Sequence, residues 1–279
     1  MMTTPTNTNT LINQPPPATH FAKTFVALLG LGLLGVLTLI PFIFDQVDVL
    51  PPELTELPTP VLIAVLLLNP LILLAIAVAV GTLLAHRVGL RSLVAERVRS
   101  GTVIWPNLRP HIPMAFVTGL VLMLIITGLD QLMDPFANAE LIGELPTADN
   151  PLMQLVMGVL YGGITEELLL RWGFMSLLVW MGWRVFQRGT GVPHAALVWT
   201  AIIVAAIAFG VGHLPAMASI VVLTPLIIVR TILLNALAGI YFGWLFWRYN
   251  LETAMVSHAS FHVGMFVISL GVLLLGNGS

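Results

Sequence analysis

Long stretches without charge alternate along the chain with short stretches that hold most of its charge. Unbroken apolar runs occupy about 25–44, 60–85, 112–129, 152–181 and 195–212, then a long stretch over 217–247 and a last run at about 254–275. They lack the period-two alternation of a membrane barrel strand. A helix crosses hydrocarbon with about 20 apolar residues, and only helices or closed barrels satisfy every backbone group there. The pattern predicts an all-α fold, a polytopic bundle of transmembrane helices. The stretch 217–247 reads either as one helix with Arg230 and Asn235 in mid-span or as two short helices that turn near those residues. The second option gives about eight helices, with both termini on one side.

Composition agrees with that reading. Of the chain, 58% is apolar and 9% is charged, where soluble domains carry about 25% charged residues. A lipid-facing surface can be built from so few charges and a water-facing one cannot. The net charge of −2 gives no reason to expect a nucleic-acid partner. With no cysteine, disulfides, cysteine metal sites and thiol nucleophiles are excluded. Residues 1–22, rich in Thr, Asn and Pro and without the marks of a secretory signal, read as a disordered polar tail. Residues 23–150 read as N-terminal transmembrane helices and 151–279 as a second, chemically distinct core.

Charge placement orients the bundle. The segment 45–59 carries Asp45, Asp48, Glu53 and Glu56, and 130–150 carries Asp130, Asp134, Glu140, Glu144 and Asp149, both without Lys or Arg. Between them, 86–111 carries Arg87, Arg91, Arg97, Arg99 and Arg109, while Arg184 and Arg188 follow the fourth run. Basic loops stay in the cytoplasm. The N-terminus, 86–111 and 182–194 are therefore expected inside and the two acidic segments outside, in a multi-pass protein of a prokaryotic-type plasma membrane.

Ionisable groups within spans cost about 2.5–3.5 kcal/mol each on insertion scales and so mark function. Three clusters stand out. In the fourth run, Glu167 and Arg171 are four apart with the acid first, the favourable order for a helical ion pair. Glu166 points about 100° away and is left free, as a general base needs to be. The alternative is an ion-paired packing motif. His213 closes the run 195–212, which holds no other ionisable group; alone it reads equally as a hydrogen-bonded core residue. His258 and His262, also four apart, share one helix face, which suits a metal, a paired donor set or an interfacial position. Together the clusters suggest one hydrolytic site on three helices, in which a Glu activates water and imidazoles stabilise an oxyanion. No G-x-S-x-G or H-E-x-x-H is present. The clusters must lie at one depth. With seven helices His213 and His258 are expected a bilayer apart, so eight are preferred, at the expense of placing Arg248 outside.

The clusters resemble the CPBP family, which includes type II CAAX prenyl endopeptidases of the Ras-converting-enzyme type and bacteriocin-processing and immunity (Abi) homologues. The family's E-E-x-x-x-R is Glu166, Glu167 and Arg171 here; its F-x-x-x-H is Phe209 and His213; its H-x-x-x-N is His258 and His262, with His in place of Asn. The resemblance covers about 150–265 and includes the glycine-rich stretch Gly239–Gly243. It implies an eight-helix intramembrane endopeptidase, with 151–279 as its catalytic core, that cuts membrane-associated substrates, CAAX-type prenylated proteins among them. Glu166 would activate water with His213, and His258 and His262 would stabilise the oxyanion. The family has been described both as metalloproteases and as glutamate proteases. The implied cofactor is thus none or a divalent metal such as Zn, with Glu166, His213, His258 and His262 as its ligands. The implied partners are membrane lipid and a peptide or protein substrate near the membrane. CAAX tails are cytosolic, whereas the charge rule with eight helices turns the histidines outward, so the loop orientation, the helix count or the prenyl substrate must yield. A non-catalytic binding or immunity protein on the same fold and an ion- or proton-coupled transporter are the alternatives.

Overall fold

A computed structural model describes residues 18–45, 52–133 and 151–276. Residues 1–17 and the acidic segment 134–150 lie outside the described residues. The first helix, α1 (Ala18–Leu37), begins before residue 22. His20 and Lys23 therefore sit in its opening turns instead of in or just after a polar tail. The other helices of eight or more residues are α2 (Thr59–Leu84), α3 (Leu93–Ser100), α4 (Ile112–Met133), α5 (Pro151–Phe186), α6 (Ala195–Gly212), α7 (Pro225–Arg248) and α8 (Leu251–Gly276). All but α3 belong to segments long and apolar enough to cross a membrane, seven among the described residues. The chain is thus an all-α, multi-pass membrane bundle. Val65, Leu68, Ile72 and Ile76 of α2 and Val117, Leu124 and Ile125 of α4 are exposed as a lipid-facing surface requires.

The basic segment 86–111 is built rather than loose. Ser92 caps α3 by accepting from Ala95 N, and Gly101 closes it at φ 73°, where a side chain would be strained. Glu252, near the start of α8, reaches the same helix end. It accepts from Ser92 Oγ at 2.6 Å, Leu93 N at 2.8 Å and Val94 N at 3.0 Å, so a buried carboxylate meets the positive end of α3.

The turn predicted near Arg230–Asn235 is not there. A short helix, Leu214–Ala218, follows α6, and the reversal comes at 219–224. Thr224 then caps α7 by accepting from Ile227 N, with Pro225 in the first turn. Nothing at 226–235 breaks a helix. The Asn235 amide donates to Thr231 O inside α7, and Arg230 Nε lies 2.6 Å from Asp130 Oδ1 at the end of α4. Arg230 therefore belongs to the acidic end. Arg248, at the other end of α7, falls near the basic segment, because Leu251 N donates to Arg91 O two residues into the next turn.

Close packing centres on α5. Its Gly173 abuts Ala77, while Gly81 of α2 abuts Trp172. Thr165 Oγ1 donates to Gly32 O of α1 at 2.7 Å. On the other side, Gly158, Gly162 and Gly163 admit His262 and Ala259 of α8. Gly210, Gly239 and Gly243 bring α6 and α7 together against Ile232, Ala206 and Ile202. Small residues let backbones approach where lipid supplies no hydrophobic drive for association.

Candidate functional site

The three predicted clusters meet. Their positions follow from an unusual α5, which winds as wide i→i+5 turns over Gly158–Glu166 and Leu168–Met175. Such π-helical turns are rare overall and frequent at functional sites. With 36 residues, α5 is well beyond the about 20 that cross a hydrocarbon layer. Glu166 is thereby deep in the bundle although it lies 15 residues from the start of the helix.

Glu167 and Arg171 form the predicted pair, with Arg171 Nη1 3.3 Å from Glu167 Oε1. Both are buried, at 0% and 2% side-chain exposure. Arg171 Nη2 also donates to Gly239 O at 3.1 Å, and its guanidinium lies over Phe209 at 4.8 Å and Phe242 at 5.5 Å. Glu167 Oε1 holds His258 Nδ1 at 2.8 Å. An ionised carboxylate only accepts, so Nδ1 carries the proton and Nε2 is left with a lone pair. His258 is fixed further by stacking on Phe242 at 4.4 Å and on His262 at 5.1 Å.

His213 is set in the same tautomer by a different group. Its Nδ1 lies 2.8 Å from Phe209 O, a carbonyl that can only accept, so its Nε2 is also an acceptor. Both Nε2 atoms face Glu166: His213 Nε2 is 4.0 Å from Oε1, and His258 Nε2 is 3.8 Å from Oε2. Glu166 is 17% exposed and takes no part in the Arg171 pair given above.

His213 and His258 are not a bilayer apart despite the single span of α7. His258 lies seven residues past the start of α8, roughly 10 Å up the bundle. The residues Leu251–Met255 that begin α8 are themselves buried. The His213 ring, bonded to Phe209 O, folds back along α6, the direction in which helical side chains lean. Two histidines at different helical heights thus reach one carboxylate.

The site opens into a cavity of about 320 Å³. Besides Glu166, His213, His258 and His262, its wall holds Tyr161, Phe242, Asn235, Asp130 and Arg230. The last two, from α4 and α7, place the cavity's far side at the acidic end. Sequence reasoning placed no role on Tyr161, Phe242 or the Asp130–Arg230 pair. Phe242, within Gly239–Gly243, was the one with a readable signal.

The tautomers are those a cation would require, but the donor atoms do not converge. Among the described residues no group of three or more His, Asp or Glu is close enough to hold a metal ion. The proposed set Glu166, His213, His258 and His262 therefore does not fit a metal as it stands.

No curated protein and no solved structure matches the chain. A family model described as Type II CAAX prenyl endopeptidase Rce1-like matches residues 148–264. That interval holds all six predicted site residues and the whole of α5, α6 and α7. Over residues 148–264 the chain is thus similar to the Rce1-like type II CAAX prenyl endopeptidases, a family of proteases.

Proposed function

We propose that the chain is an intramembrane endopeptidase in which Glu166 is the general base. The observation that carries this reading is that each oxygen of Glu166 faces a different imidazole Nε2 across 3.8–4.0 Å, at the wall of a cavity. These gaps exceed a direct hydrogen bond and suit a water between. Water supplies the two hydrogens that three acceptors call for. It donates one to Glu166 and the other to His213 or His258, and its oxygen is left facing the cavity.

In the reaction, Glu166 takes a proton from that water as its oxygen attacks the scissile carbonyl. The same proton then passes to the leaving amine as the C–N bond breaks. Glu167 and Arg171 are positioning residues that hold His258 in its tautomer. With Nε2 of His258 turned to Glu166, stabilisation of the oxyanion falls to His262, stacked on it in the cavity wall. The charge rule puts the basic end in the cytoplasm. The cavity then opens to the opposite side, which favours a membrane-proximal peptide segment there over a cytosolic prenylated tail.

Purified protein is expected to cleave peptides of membrane-proximal sequence in detergent or nanodiscs. Glu166→Gln is expected to abolish cleavage without changing thermal stability, and wild-type cleavage to survive dialysis against a metal chelator. Retained activity in Glu166→Gln removes the base. A folded wild-type protein that cuts nothing in a diverse peptide library removes the protease reading.

A further inference from the structure

A second and much smaller cavity, which shares no lining residue with the catalytic one, lies between α1, α2, α3 and α5. Its volume is about 10 Å³, room for roughly one water-sized atom. His20, Thr24, Thr82, His86, Arg99 and Trp172 line it. The hydroxyls of Thr24 and Thr82 and the indole Nε1 of Trp172 are buried without a hydrogen-bond partner among the described residues. These residues are 2%, 6% and 3% exposed. Buried donors without acceptors are rare in folded proteins and call for an explanation.

The wall is rich in donors and holds no carboxylate. The nearest acids on α3 and α8 are committed elsewhere, Glu96 to Arg91 at 2.7 Å and Glu252 to the start of α3. Arg99 makes the surroundings electropositive. An indole N–H can only donate, so the missing partner is an acceptor, and the charge selects an anionic one. Depth narrows the source. His20 opens the first membrane span and His86 lies near the end of the second, so the pocket sits at the edge of the hydrocarbon, where phospholipid phosphates lie. Basic pockets between transmembrane helices bind such headgroups.

We propose that this pocket takes one phosphate oxygen of an anionic phospholipid headgroup. The rest of the phosphate lies between His20 and Arg99, both half-buried at its mouth. Trp172 directly follows Arg171, so a bound lipid braces the helix that carries the Glu167 ion pair. This site does not depend on the protease reading, because its test reads binding rather than cleavage.

The test uses the full chain in detergent, supplemented with phosphatidylglycerol, phosphatidylcholine or inorganic phosphate at matched concentration. Native mass spectrometry reads retained lipid, and thermal unfolding reads stabilisation. Phosphatidylglycerol is expected to be retained and to raise the midpoint. Phosphatidylcholine, whose choline is repelled by Arg99, and inorganic phosphate are expected to do neither. Trp172→Phe, which removes only the Nε1 donor, and Arg99→Gln are each expected to lose more than half of the phosphatidylglycerol shift. Arg188→Gln, on the other basic segment, is expected to keep it. If one of the first pair fails to fold, Thr82→Val replaces it. An undiminished shift in the pocket variants overturns the site. An equal effect of inorganic phosphate or of phosphatidylcholine overturns the anionic-lipid assignment.

Discussion

Replacing Arg171 by Met tests how the site is held together. The guanidinium is 2% exposed and is the only cation described within reach of Glu167, itself fully buried. Its loss leaves a carboxylate bound to His258 alone, with its second oxygen already without a hydrogen bond. Removing one partner of a buried ion pair costs about 3–5 kcal/mol, a figure dominated by the stranded charge. At about 2–4 °C per kcal/mol for a chain of this size class, the unfolding midpoint falls by roughly 6–20 °C. The double variant Glu167→Gln/Arg171→Met removes the stranded charge as well. It is expected to regain about 2 kcal/mol over the sum of the single variants, as contacting residues do. Scanning calorimetry or dye-based unfolding in one detergent measures all four proteins. Arg171→Met within about 2 °C of the parent, or a double variant that merely sums the singles, refutes the idea that this pair is desolvated and mutually dependent.

Two further outcomes follow from contacts described above. Glu252→Gln keeps one acceptor but loses the charge facing the start of α3. It is expected to destabilise by about 1.5–3 kcal/mol, with faster amide exchange in Leu93–Ser100 as the local signature. Gly162→Ala places a methyl against the His262 ring, which must then move. Cleavage is expected to fall roughly 100-fold with little change in substrate affinity, measured as kcat against KM, because a displacement near 1 Å is that damaging to catalysis.

Most of the bundle was legible in the chain, and the reasons are local. The run at 195–212 matches α6 residue for residue because a span needs only length and apolarity, and both are written in consecutive positions. The Glu167–Arg171 pair was legible because four residues set one face of a helix. The turn assigned near Arg230–Asn235 failed because depth was judged from helix ends, whereas side chains of His213 and His258 cover the difference. Arg230 looked misplaced in a span because its neutralising partner, Asp130, stands 100 residues earlier. No single segment displays such a pair. The wide turns of α5 were invisible for another reason: the pattern of apolar positions was read at about 100° per residue, and i→i+5 winding departs from that period.

That winding makes the core of the bundle sensitive to chain length in one place. A segment held in i→i+5 turns carries residues that ordinary α turns would not accommodate over the same rise. Deleting one residue between Gly158 and Glu166 lets the helix relax to regular turns. A deletion beyond that one, with no wide turn left to give up, rotates everything upstream relative to the carboxylate by about 100°. Gly158 and Gly162 would then turn away from His262, and the seam between α5 and α8 would present side chains where it now presents bare backbone. Individual residues of this stretch can be exchanged within the limits of packing. Insertions and further deletions shift the glycine seam against His262 and Ala259.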